Sequence, residues 1–209
     1  MTRKILRSLV GHTSWIEALI ELNDGQLASA SHDKTVKVWN LSTGVESATL
    51  GGHKDGVLSI VQFANGQIAA ATSDYSLTVW DLGNRNISQV HEFDSFILSM
   101  AKLASGNVLL GFYSGVIRVW AVQERRVIAN FVDSSKNGPV WSLVELDEGR
   151  IASGHDDGTL KVWDVSRERL IGWFSAHEGG SVLSIIQLEK SRELVTSSND
   201  KTIKFWSLN

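Results

Sequence analysis

The chain has 209 residues, 43% of them hydrophobic, and a formal net charge of −3. That length supports one domain with a sizeable core, and a slightly acidic balance argues against a nucleic-acid binder, which carries a clustered basic face. The chain has no cysteine, which excludes disulfides and thiolate metal sites. No apolar run is long enough to span a bilayer.

The first ten residues, MTRKILRSLV, lack the long apolar core and small-residue cleavage site of a signal peptide. The expected location is therefore intracellular, in cytoplasm or nucleus. Residues 4–10 stand before Gly11-His12 as ESATLG stands before Gly52-His53. This places a strand at the N-terminus that belongs to a sheet completed elsewhere.

A repeated unit follows. Leu27–Asn40 reads LASASHDKTVKVWN, and its pattern returns at residues 67–81, 108–121, 150–164 and 194–207. The anchoring residues Trp39, Trp80, Trp120, Trp163 and Trp206 are 40 to 43 residues apart, a period that marks a repeat architecture. Within a copy, Val36 and Val38 alternate with Thr35 and Lys37, the period of a half-buried strand. A polar turn before them makes a hairpin with the preceding apolar run. A further strand leads each copy (WIEALIEL, VLSIVQF, ILSMAKL, VWSLVEL, VLSIIQL), and a short one trails four of them (ESATL, ISQVHEF, RRVIANF, RLIGWF). Each unit is thus a four-stranded antiparallel meander of roughly 42 residues, the size of one propeller blade.

These features closely resemble the WD-repeat β-propeller family. Trp80-Asp81 and Trp163-Asp164 match its terminal pair, and Gly11-His12, Gly52-His53 and Ala176-His177 its opening pair. The resemblance covers nearly the whole chain. It implies a single all-β domain over 1–209, a propeller of five four-stranded blades: 11–50, 51–92, 93–132, 133–175, and 176–209 completed by 3–10. The N-terminal strand would then close the ring. The alternatives are a fragment of a larger ring, such as one of seven blades, or copies that associate through open ends. A closed ring implies a monomer, and an open one allows self-association.

The family also implies a hydrogen-bonded network of His, Ser or Thr, Asp and Trp inside each blade. The first copy supplies His12, Ser29, Asp33 and Trp39, and the last supplies His177, Thr196, Asp200 and Trp206. The second keeps His53, Asp74 and Trp80 but has Ala70 where the hydroxyl belongs. The fourth keeps Ser153, Asp157 and Trp163 without a histidine near Lys136. The third retains Trp120 alone, with Phe93, Leu110 and Ser114 at the other places. A partial network costs stability, so the third and fourth blades are expected to rely on apolar packing.

Ser, His and Asp together are the vocabulary of acyl transfer. Here the set recurs once per repeat beside a tryptophan and inside a blade, where no substrate reaches it, so a structural role is expected and no catalysis. His155-Asp156-Asp157 offers metal-ligand types without a second cluster, and Asp-Asp-Gly is hairpin chemistry. Gly179-Gly180 lacks the lysine and helix of a phosphate loop. The expectation is no cofactor and no metal. Arg118, Arg125, Arg126, Arg167 and Arg169 are scattered and read as solvated surface. Asn40-Leu41-Ser42 and Asn86-Ile87-Ser88 match glycosylation sequons by chance.

Propellers of this family dock partners around the central opening, through the residue before the turn Asp and two positions at the start of the innermost strand. Carried over by motif, these are His32, Ser73, Tyr113, Asp156 and Asn199, then Trp15 with Glu17, Gly56 with Leu58, Phe96 with Leu98, Pro139 with Trp141, and Ser181 with Leu183. Large aromatics at such places are hot-spot residue types. Glu17, His32, Asp156 and Asn199 would orient a partner and favour basic segments. The resemblance implies a non-catalytic scaffold that binds a protein or peptide, with no nucleic acid and no membrane. The alternatives are a substrate receptor in ubiquitin or chromatin machinery, or an enzyme with a pocket at the channel. The turn-rich stretch Val132–Pro139 is expected on the same face as a mobile loop.

Overall fold

A computed structural model describes residues 5–63, 65–133 and 138–208. Nineteen strands fill it: β1 Ile16–Glu21, β2 Leu27–Ser31, β3 Val36–Trp39, β4 Glu46–Leu50, β5 Val57–Gln62, β6 Ile68–Thr72, β7 Ser76–Asp81, β8 Asn86–Glu92, β9 Ile97–Lys102, β10 Val108–Phe112, β11 Ile117–Ala121, β12 Arg126–Phe131, β13 Val140–Glu145, β14 Arg150–His155, β15 Thr159–Asp164, β16 Arg169–Ser175, β17 Val182–Gln187, β18 Leu194–Ser198 and β19 Ile203–Trp206. They form five antiparallel meanders, β1–β4, β5–β8, β9–β12, β13–β16 and β17–β19, the blades of a β-propeller fold. Two compact units result: residues 1–94 carry the first two sheets and residues 95–209 the last three. No helix among the described residues is long and apolar enough to cross a membrane.

The sheets are built by alternation. In β3, Val36 and Val38 are buried while Lys37 between them is half exposed. Tight turns join the strands, and non-glycine residues with positive φ sit in several of them, Lys34, Tyr75 and Lys201 among them. Neighbouring sheets pack face to face within each unit. Ala28, Val36 and Val38 of the first meet Val57 and Ile60 of the second. Leu109, Ile117 and Val119 of the third meet Val140 and Leu143 of the fourth. Ala152 and Leu160 of the fourth meet Val182, Ile185 and Leu194 of the fifth.

One sequence expectation fails. The fifth sheet has three strands, not four. Residues 5–10 form no strand, and Ile5, Leu6 and Val10 are 80%, 93% and 87% exposed. The Arg7 guanidinium of this segment donates to the Ser42 carbonyl in the turn between β3 and β4 at 3.4 Å. The expected fourth strand of the last blade is not found among the described residues. Of the loop expected at Val132–Pro139, residues 134–137 lie outside the described residues.

Candidate partner-binding site

Two sets of residues recur along the sheets, one inside the sheet and one at its end. In the first sheet the inner set is complete. His12 Nδ1 lies 2.8 Å from Asp33, His12 Nε2 lies 2.7 Å from Ser29 Oγ, and Trp39 Nε1 donates to Ser29 Oγ at 2.8 Å. The tautomer that satisfies every group has Nδ1–H donating to Asp33 and the Ser29 hydroxyl donating to Nε2. Burial pushes the Asp33 carboxyl up, but hydrogen bonds from Thr35, the Thr13 amide and His12 outweigh it and hold it well below the usual carboxylate range. The fifth sheet repeats this with His177, Asp200, Thr196 and Trp206 at 2.7 to 2.8 Å.

The middle sheets depart from that scheme in three ways. In the second, Ala70 takes the register place of Ser29, and His53 Nδ1, His53 Nε2 and Trp80 Nε1 are buried with no hydrogen-bond partner. Asp74 turns instead to Thr72 and Ser76. Burial pushes the His53 imidazole down to about 4. In the third, Leu110 and Phe112 are fully buried and the Arg118 guanidinium lies over the Phe112 ring.

In the fourth, a residue missed by sequence reasoning takes the histidine's part. His155, two residues beyond Ser153 on the same strand face, places Nε2 2.8 Å from Ser153 Oγ, which also accepts from Trp163 Nε1 at 2.8 Å. Burial, with the Lys161 charge added, pushes His155 down to about 4. Asp157 bonds Thr159 rather than an imidazole. The expectation of apolar packing in this blade is thus corrected: it has a polar brace, reached from the opposite end of the sheet. The signal was a histidine at the strand position that carries Ser31, Thr72, Phe112 and Ser198 in the other copies.

The outer set forms at the strand starts. The innermost strand of each sheet opens with a β-bulge, and the unpaired residue is Glu17, Leu58, Leu98, Trp141 or Leu183. A bulge re-aims a side chain away from the alternation. The sequence carries the trace: Val57 and Ile60, Val140 and Leu143, and Val182 and Ile185 are buried three apart, not two.

The residue before each turn Asp lies beside the strand start. The amides of His32, Ser73, Tyr113 and Asp156 donate to the carbonyls of Trp15, Gly56, Phe96 and Pro139 at 2.9 to 3.1 Å. In the first sheet His32 Nε2 is 3.0 Å from Glu17, and its ring meets Trp15 edge-on at 5.8 Å. Gly56 is required nearby, because a Cβ there would come within 2.8 Å of His32 Nδ1. Leu58 is half-buried in the second sheet.

In the second unit, Phe96 and Tyr113 pack edge-on at 6.1 Å, with Leu98 half-buried beside them in sequence. Trp141 Nε1 and Ser181 Oγ both donate to Asp156 Oδ1, at 2.8 and 2.9 Å, and the Ser181 amide donates to Asn199 Oδ1 at 2.8 Å. Asp156 therefore ties the fourth sheet to the fifth. Trp15, Tyr113 and Leu183 are 77%, 54% and 45% exposed, while Phe96 and Trp141 are half-buried. Among the described residues no group of three or more His, Asp or Glu is placed to hold a metal ion.

This construction matches a known family. The model of the WD domain, G-beta repeat (WD40) fits residues 3–40, 44–81, 127–164 and 168–207. The chain belongs to the WD-repeat family. The stretch the repeat model passes over, 82–126, contains β9 to β11, the sheet with neither the histidine nor the aspartate. Pre-mRNA-splicing factor prp46 of Emericella nidulans and its namesake from Aspergillus fumigatus are each 42% identical to this WD-repeat chain over 48 residues. That is 22% of this chain and 11% of either relative. The matched length is about that of one repeat.

Proposed function

We propose that this WD-repeat chain is a non-catalytic interaction module that holds a peptide or a partner's loop at its bulged strand starts. The observation that supports this reading most is the recurrence of the bulge: five sheets each expend an irregularity to re-aim one residue beside the turn. Trp15, Phe96, Tyr113 and Trp141 serve as anchors. Leu58, Leu98 and Leu183 add apolar contact. Glu17, His32, Asp156 and Asn199 orient the ligand and favour a basic segment. The inner Ser, His and Asp groups act as braces, since Ser29 and Ser153 are buried and spend their hydroxyls on an imidazole and an indole.

Capture from a lysate with mass spectrometry, comparing the native chain with Trp15→Ala and Trp141→Ala, tests the proposal. Both variants lose the captured partner and keep the melting point. If both unfold instead, these side chains are core and the reading fails. The names of the splicing-factor relatives make a splicing assembly one partner set to look for, in the nucleus. A 48-residue match supports the shared repeat more than a shared partner.

A further inference from the structure

The fourth strand of each complete sheet is an edge: β4, β8, β12 and β16 each pair on one side only. Two of these edges are engaged by the sheet that follows. The turn before β8 sends the Arg85 guanidinium back to the Ser47 carbonyl of β4 at 3.0 Å, and the turn before β16 sends the Glu168 carboxylate back to the Asn130 amide of β12 at 3.4 Å. Arg85 and Glu168 hold the same left-handed place in their turns, with φ of 57° and 48°. No fourth strand follows β19 among the described residues, and none of the described turns reaches back to β16 in this way.

Register shows which groups of β16 are left. Ser47 is the unpaired residue between Glu46 and Ala48, and Ile171 is its equivalent between Leu170 and Gly172. Asn130 stands opposite Arg118, two before Trp120, and Trp173 stands opposite Lys161, two before Trp163. The Ile171 carbonyl and the Trp173 amide therefore point outward from β16, and no described residue bonds them. Both side chains are exposed, by 47% and 62%. The strand itself is firmly held: Leu170 packs on the core shared by the third and fourth sheets, and the Phe174 ring lies 4.9 Å from that of Trp206. Edge strands are commonly kept from pairing by lysine, proline or inward charge. β16, RLIGWFS, has a single charge, at its first residue.

We propose that β16 pairs antiparallel with β16 of a second copy of this chain, on a two-fold axis through Gly172. The occupant is a second copy because the strand is self-complementary about that glycine. Ile171 of each copy falls opposite Trp173 of the other, Leu170 opposite Phe174, and Arg169 opposite Ser175. Apolar meets apolar, and no like charges face each other. The outward Trp173 amide of each copy donates to the outward Ile171 carbonyl of the other, as in a hydrogen-bonded antiparallel pair. The other outer strands do not match themselves in this way. Paired about its centre, Gln89, β8 sets Ile87 against His91 and Asn86 against Glu92, and the edges of β4 and β12 already carry side-chain bonds. Because both copies use one surface, the contact is isologous and closes at a dimer. β16 is three strands from β13, so this surface is separate from the bulged strand start of the same sheet.

Analytical ultracentrifugation of the native chain, from low to high micromolar, should show monomer passing to dimer and no larger species. Ile171→Lys with Trp173→Lys sets like charges opposite each other and raises the dimer dissociation constant more than about tenfold. Ile171→Lys with Trp173→Glu in one chain sets opposite charges in register and restores much of that loss. The chain has no cysteine, so Gly172→Cys adds a single thiol on the axis, where a Cβ meets nothing within 4 Å. Opposite residues in a non-hydrogen-bonded pair have Cα atoms about 4.5 Å apart, within disulfide range. Mild oxidation therefore links Gly172→Cys into a covalent dimer and leaves Val90→Cys, exposed on β8, as monomer. The substituted residues of β16 are exposed, so circular dichroism melts should match the native chain; if the double-lysine variant melts early, the cross-linking comparison decides. A native chain that stays monomeric throughout overturns the proposal. So does equal cross-linking at positions 172 and 90, or a lysine–glutamate variant that dimerises no better than the double-lysine one.

Discussion

Restoring one hydroxyl to the second sheet should stabilise the protein. Ala70→Ser puts an Oγ where Ser29 stands in the first sheet, by the same strand register. Three buried nitrogens are without partners there, two on His53 and one on Trp80. A serine hydroxyl accepts from Trp80 Nε1 and donates to His53 Nε2, leaving only Nδ1 unsatisfied. The space is comparable, since the His–Trp ring separation is 5.8 Å here and 6.1 Å in the first sheet.

An unsatisfied buried group costs about 1–3 kcal/mol, and burying the new hydroxyl offsets part of the gain, so we expect a net of about 2 kcal/mol. In a chain of this length that raises Tm by about 4–8 °C. Urea unfolding followed by tryptophan fluorescence reads the change as a higher midpoint at constant slope. Ala70→Val, which has the shape of the threonine used in the fifth sheet but no oxygen, should not stabilise. A double-mutant cycle with Trp80→Phe should recover a coupling of about 1 kcal/mol. If Ala70→Ser is neutral or destabilising, the three nitrogens are not the weakness their geometry makes them.

Three further outcomes follow from the braces. Ser153→Ala strips the hydroxyl that donates to His155 Nε2 and accepts from Trp163 Nε1, both residues being 1% exposed, and should cost about 3 kcal/mol in the same urea assay. It is the mirror of the Ala70→Ser change. Acid should destabilise the protein well above the carboxylate range. His53 and His155 are neutral when folded, held down to about 4 by burial, so the unfolded chain takes up their protons first as pH falls. Their stability contribution is intact above about pH 6.5 and is lost progressively down to pH 4, by up to about 3 kcal/mol each. The urea midpoint measured from pH 7.5 to 4 should fall accordingly, and His53→Phe should flatten part of the slope. Below that window the depressed carboxylates Asp33 and Asp200 add a second loss. Gly158→Ala should be severe, because φ is +78° and a Cβ would collide with the His177 carbonyl; loss of soluble folded protein in a thermal melt checks it.

By itself the sequence determines the period, the sheets and the hydroxyl missing from the second of them. Alternation and turn chemistry act over a few residues, so Val36, Val38 and their repeats specify strands without reference to distant parts. Ala70 in a hydroxyl's place is likewise a local fact, and the orphaned His53 and Trp80 follow from it. The tertiary structure decided what depends on approach through space. His155 braces the fourth sheet because strand pleat and register bring its ring over Ser153, which a motif written along the chain does not encode. The bulges that aim Glu17, Leu58, Leu98, Trp141 and Leu183 are pairing irregularities, visible only faintly as a spacing of three. Whether residues 5–10 form a strand is likewise not a local matter. Local pattern marks that segment as a strand, but a strand needs a partner edge, and residues 5–10 are in no strand.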